Sequence, residues 1–288
     1  MSSLWRPIRE RDPVRSLMAI VAHPGDEAFG FAGALASAAA AGAYVVVVCV
    51  TRGWYDRRVT DSAPAPGGKN RDVKLAAITW RNLDTVREDE LRRSVALLGV
   101  RVVRMLDYAE GELDRADFDH LVGRIVEPIR MHKPEVIITF GPDGVTGDTD
   151  HEVLSRAVGA AYERAAHPLA YEDDLEEDQV AWRAAKLYHL VEPVEDAAQV
   201  LGDRLPDGYG SRVPPTVELQ LGELAQLKLA AISRHVTQTG SRGPFHDWGD
   251  AARDAWLAAE RYRLVASALP VPAGAGDLRE SSLFEGLA

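Results

Sequence analysis

The sequence predicts a single α/β domain over residues 1–270, Rossmann-like, with a mainly parallel sheet and helices on both faces. Three observations predict it. Short β-rich runs alternate with helical segments through the first two thirds of the chain. The runs are close to continuously apolar, as strands covered on both faces are. The segments between them have the length of the right-handed crossovers that join parallel strands. With 288 residues and 46% hydrophobic content, the chain can bury a large core.

Residues 16–22 (SLMAIVA) read as a buried strand by apolar content, and the alanine-rich 31–41 as a helix stopped by Gly42. Residues 44–50 (YVVVVCV) form the most β-branched run. Helix 88–98 follows from Leu91, Val95 and Leu98, with Gly99 as its stop, and 100–106 is the third strand. Leu121, Val122, Ile125 and Ile129 recur at helical spacing over 118–131, which breaks near Pro134. Residues 136–140 make a fourth strand and 152–165 a helix, and 186–191 are read as a further strand. Two stretches interrupt the rhythm: 52–81, with Pro64, Pro66, Gly67 and Gly68, reads as a long loop, and 171–178 (YEDDLEED) as an exposed acidic run. Residues 201–215 look loop-like, 221–235 and 251–268 return to helix, and 271–288 read as a poorly ordered tail.

A formal net charge of −11 argues against nucleic acid or an anionic membrane as the main partner. Arg57-Arg58 and Arg92-Arg93 read as solvated faces. The one cysteine, Cys49, sits inside an apolar run and reads as a buried, inert thiol, which fits a reducing compartment. The first fifteen residues hold charges and no apolar core of a signal peptide, and no run approaches the ~20 apolar residues of a membrane span. The expectation is a cytoplasmic protein, with a homo-oligomer left open.

Chemistry gathers at two strand exits. The first strand runs into His23-Pro24-Gly25-Asp26-Glu27, and the fourth into 141–144 (GPDG) and then Val145-Thr146-Gly147-Asp148-Thr149-Asp150-His151. Ligands of open α/β sheets bind beyond the carboxyl ends of strands. Two imidazoles with a carboxylate leave positions open for water and substrate, the arrangement of a catalytic metal centre. A lone histidine at a strand end is more often a hydrogen-bonded loop residue; two, each beside carboxylates, make ligation an even alternative. His120, His132, His167, His189 and His246 have no such partner pattern and read as surface or core residues.

Residues 22–27 (AHPGDE) resemble the AHPDDE motif of the LmbE-like (GlcNAc-phosphatidylinositol) de-N-acetylase family, and 147–151 (GDTDH) resemble its GHPDH motif. Arg87 to Glu90 resemble the family's arginine-glutamate helix start. Lys228 to Gln238, with His235-Val236-Thr237-Gln238, resemble its late K…HxSQ helix. The landmarks keep the family's order from about residue 16 to about 240. The resemblance implies the LmbE-like fold and one zinc on His23, Asp26 and His151. It also implies hydrolysis of an acetamide, the substrate being a small molecule such as an acetamido sugar.

Two of the family's catalytic residues are absent. The first acid of AHPDDE, the family's general base, is Gly25 here, and the first histidine of GHPDH is Asp148. A tyrosine often found two residues earlier is Thr146. A missing general base typically costs ~10²–10⁴ in rate. Three readings stay open: Asp148 has become the base; the site binds metal and ligand without appreciable turnover; or two histidines and a carboxylate hold Fe(2+) for other chemistry. Glu27 and Asp150 are further catalytic candidates, although Glu27 equally braces the following helix and Asp150 equally orients a ligand histidine. Arg87, Asp107, Thr146 and His235 are the candidates for substrate contact, and Gln238 either approaches the site or packs it.

Overall fold

The computed structural model describes residues 15–53, 82–171, 179–194, 198, 210–239, 249–270 and 279–287. Most of the expected loop 52–81, residues 172–178 of the acidic run, 201–209, His246 and residues 271–278 lie outside them. The elements in chain order are β1 (Ser16–Val21), α1 (Asp26–Phe29), α2 (Ala32–Ala40), β2 (Tyr44–Thr51), α3 (Leu83–Leu97) and β3 (Val102–Tyr108). A 3-10 turn at Leu113–Arg115, α4 (Phe118–His132), β4 (Val136–Phe140), α5 (Thr149–Ala165), β5 (Lys186–Leu190) and β6 (Val217–Gln220) come next. Last are α6 (Leu224–Ile232), α7 (Val236–Thr239), α8 (Asp250–Ala258) and β7 (Ala259–Ser267).

The β-branched runs form strands because both faces are covered: Leu17 to Val21 and Val47 to Val50 are fully buried. Burying each such side chain contributes roughly 1.5–3 kcal/mol. The sheet has seven strands in the order β3-β2-β1-β4-β5-β7-β6. Strands β1 to β5 are parallel, with Leu17 opposite Val45 on one side and Val136 on the other. The chain moves outward from β1 in one direction and from β4 in the other, so the connections part between β1 and β4. That divergence opens a crevice at the carboxyl ends of these two strands, where such sheets bind ligands.

Helices gather in two sets, with α4 against α5, and α2 and α3 against α6. In α4, Leu121, Val122, Ile125, Val126 and Ile129 line the buried stripe, and the Asp117 carboxylate accepts from His120 N at 2.9 Å as N-cap. Arg92 and Arg93 form exposed pairs with Glu88 and Asp89 one turn away, the solvated face their spacing suggests.

The expected helix at 251–268 is corrected by the structure. Helix α8 ends at Ala258, and the next nine residues are β7, antiparallel to both β5 and β6. The Ala-, Glu- and Arg-rich sequence favours helix locally. Pairing on two sides, with Tyr262 fully buried, overrides that preference. The C-terminal segment differs as well: Leu283 is buried, and Glu280 accepts from the buried Lys186 ammonium at 2.5 Å and the Tyr188 hydroxyl at 2.9 Å. Residues 279–287 are thus held against β5 rather than loose.

Candidate metal centre and active site

The crevice between β1 and β4 becomes a cavity of about 380 Å³ whose lining includes His23, Gly25, Asp26, Thr146, Asp148, His151 and Gln238. The loop after β1 turns sharply at Gly25, with φ of +115°, a conformation open to glycine and strained for other residues. The turn carries Asp26 back toward His23, whose backbone N–H donates to Asp26 Oδ2 at 2.7 Å. From the other strand, Asp148 caps α5: its Oδ1 accepts from Asp150 N at 2.9 Å and His151 N at 3.3 Å. The cap sets His151 at the mouth of the crevice, stacked on Phe140 with ring centroids 3.8 Å apart.

The predicted metal residues do meet. Asp26 Oδ2 lies 3.6 Å from His23 Nδ1 and 3.3 Å from His151 Nε2. The two imidazole centroids are 5.2 Å apart. Asp148 joins them: one donor atom each from His23, Asp148 and His151 lies within 4.8 Å of the others. Two carboxylates therefore border the two imidazoles, where the sequence reading assigned only Asp26 to the metal.

The second nitrogen of each ring is already committed. His151 Nδ1 donates to the Gly144 carbonyl at 3.0 Å, and His151 Nε2 is buried with no hydrogen-bond partner. His23 Nε2 donates to Asp150 Oδ2 at 3.0 Å, which turns Nδ1 toward Asp26. Fixing one ring nitrogen so that the other presents its lone pair is how metal-binding histidines are oriented. An orphaned buried imidazole nitrogen amid carboxylates fits a divalent cation, with His23, His151 and an aspartate as its holders. Burial alone would depress the His23 imidazole; the hydrogen bond it donates to Asp150 and the charges of Asp26, Glu110 and Asp148 outweigh it and lift it to about 9. Burial would likewise raise Asp26, yet the charge of His151 3.3 Å away, with the charge and backbone N–H of His23, holds it at about 2. The same field attracts a metal ion.

The other candidates divide. Asp150 is buried, and besides His23 it accepts from Gly111 N at 2.6 Å and Leu113 N at 3.1 Å, the position of an orienting group. Glu27 is fully buried and does not line the cavity; it accepts from Gly25 N at 2.8 Å and from His235 Nε2 at 2.6 Å. Both Glu27 and His235 therefore brace the loop instead of reaching a ligand. Arg87, 1% exposed, donates to the Pro24 carbonyl at 3.1 Å and the Gly53 carbonyl at 3.2 Å and pairs with Glu110. It supports the same loop from beneath. Asp107 falls at a register shift between β2 and β3, has φ of +67°, and pairs with Arg52 outside the cavity; the bulge turns it away. Thr146 lines the cavity with its hydroxyl 3.4 Å from His151 Nδ1.

Glu110, Glu192, Trp256, Glu260 and Arg261 also line the cavity, and sequence reasoning missed them. Glu110 follows β3 at the same sheet edge and was within reach of that rule. Glu260 and Arg261 were hidden by reading β7 as helix. Glu260 accepts from Gly33 N and Ala34 N at the start of α2, from Lys228 Nζ at 2.9 Å and from the Tyr262 hydroxyl. The landmark helices also meet: Glu90 accepts from Thr237 N at 3.0 Å and Thr237 Oγ1 at 2.5 Å. Cys49 is fully buried, and burial pushes its thiol well up.

Residues 18–162 match the sequence pattern of the GlcNAc-PI de-N-acetylase family (PIG-L). This chain belongs to that family. A 1D-myo-inositol 2-acetamido-2-deoxy-alpha-D-glucopyranoside deacetylase of Streptomyces griseus is 30% identical over 309 residues, covering 96% of this chain and 90% of that one. Among solved structures, the N,N'-diacetylchitobiose deacetylase of Pyrococcus horikoshii is similar with a TM-score of 0.60 at 16% identity, covering 88% of this chain and 84% of that one. The 4-carboxy-2-hydroxymuconate hydratase GalB of Pseudomonas putida has a TM-score of 0.61 at 16% identity, covering 91% of this chain and all of that one. The two structures share the fold with this family member. A deacetylase and a hydratase on one fold leave activity to be argued from the site. Among the described residues, no helix is long and apolar enough to cross a membrane.

Proposed function

We propose that this protein is a zinc-dependent hydrolase that removes an N-acetyl or related acyl group from an amino sugar or a glycosylated small molecule. The observation that carries the reading is the unpartnered Nε2 of His151 facing Asp26 and Asp148 beside His23. When bound, a divalent metal supplies Lewis acidity, polarising an acyl carbonyl and acidifying water. His23, His151 and Asp26 hold it, as the family pattern implies. Asp148 takes the proton that the absent acid at position 25 would take; its Oδ1 serves the helix cap, and its carboxylate borders the cavity. Thr146 offers a hydroxyl donor to the substrate. The relatives' acetamido sugar supports that substrate class, and the single buried thiol supports a cytoplasmic setting.

The test is release of a free amine by zinc-loaded protein across a panel of acetamido sugars and acetylated glycosides. A second reading, a metal- and ligand-binding protein without turnover, is favoured by one feature: glycine at position 25. Zinc bound stoichiometrically with no amine released from any member of the panel would decide for it. Iron in place of zinc, with oxygen consumption, would decide for redox chemistry.

A further inference from the structure

The space beside Gly25 is taken. A Cβ built on Gly25 would lie 1.9 Å from Gln238 Oε1, 2.8 Å from its Cδ and 3.1 Å from its Nε2. The Gln238 carboxamide therefore fills the volume into which a side chain at position 25 would project. Its Oε1 is buried with no hydrogen-bond partner, although the residue lines the cavity. A buried carbonyl left without a donor is unfavourable, so this oxygen is poised for a donor that arrives with a ligand. Gln238 is not there by looseness of its helix. The short α7 is pinned on both sides, by His235 on Glu27 and by Thr237 on Glu90 through both its N–H and its hydroxyl.

We propose that Gly25 and Gln238 form a matched pair, in which Gln238 replaces the side chain missing at position 25 and presents Oε1 as a neutral acceptor to an N–H or O–H of the bound molecule. An amide oxygen orients such a donor but does not take its proton near neutral pH. The slot thus determines ligand placement and leaves proton transfer to another group. The acceptor role rests on the proposed function for its substrate; the steric pairing does not.

A double-mutant cycle on stability tests the pairing: Gly25→Ala, Gln238→Ala and the double variant, each melted in the presence of saturating zinc. The strain of a side chain at φ +115° is common to both Gly25→Ala backgrounds and cancels in the cycle. The expected result is a double variant that melts above the sum of the two single shifts by about 3 °C or more. Additive shifts would overturn the pairing. Calorimetric titration with an acetamido sugar tests the acceptor: Gln238→Ala should weaken binding about tenfold, and Gln238→Glu, isosteric but ionisable, should bring a new acid limb to the pH–rate profile. Unchanged sugar affinity in Gln238→Ala would overturn the acceptor role. Absence of sugar binding by the parent would instead strike the proposed function, with the melting cycle still deciding the pairing.

Discussion

Replacing Asp148 by asparagine separates its structural from its chemical duty. Asp148 Oδ1 accepts from two backbone N–H groups at the start of α5, and asparagine caps helices about as well as aspartate. What is lost structurally is one negative charge at a helix N-terminus, worth about 0.3–1 kcal/mol. The residue is exposed, so this figure tends to its lower end. If Asp148 takes the proton in acyl transfer, the rate falls by ~10²–10⁴, or about 3–5 kcal/mol in the barrier. The two effects differ several-fold, and a thermal melt beside a steady-state amine-release assay reads both. The expected outcome is a melting point within about 2 °C of wild type, unchanged zinc content, and near-complete loss of kcat. A variant that keeps more than a tenth of wild-type kcat would refute the assignment of Asp148 as base.

Two further outcomes follow from buried groups. His235→Ala leaves Glu27 fully buried and short of its 2.6 Å partner; removing one member of such a pair costs about 3–5 kcal/mol, so the melting point should fall by roughly 10 °C, with Glu27→Gln in the same chain restoring part of the loss. His132 is buried with its Nε2 unpartnered, and burial, aided by the Arg104 charge, depresses its imidazole to about 4. The unfolded chain then binds the extra proton first, so stability present above about pH 6.5 is lost as pH falls through 4, by about 3 kcal/mol in all. Unfolding free energies measured from pH 7 to 4 should fall less steeply in His132→Gln than in wild type.

The sequence was most legible where one physical signal dominated. Fully covered β-branched strands such as residues 44–51 leave little alternative, and the carboxyl-end rule put His23 and His151 at one crevice before any coordinate was known. It was least legible where tertiary pairing overrode local preference. Residues 259–267 look helical in isolation and become a strand only because β5 and β6 flank them. With that strand misread, Glu260 and Arg261 could not be placed at the cavity. The supporting residues posed a different difficulty. Arg87, Glu27 and His235 carry the family's spacing, yet spacing does not say whether a charged side chain faces the ligand or the loop beneath it. Burial decides that, and burial of an ion pair depends on a partner over 200 residues away, as for Glu27 and His235. Asp107 was at the right edge and turned away by a one-residue bulge, which a periodic pattern does not reveal.

Metal analysis of the purified protein beside its His151→Ala variant bears most directly on the centre itself. One zinc per chain in the parent, lost in the variant while the fold survives, is the predicted result. A parent that takes up no divalent ion, or a variant that retains it undiminished, would contradict it.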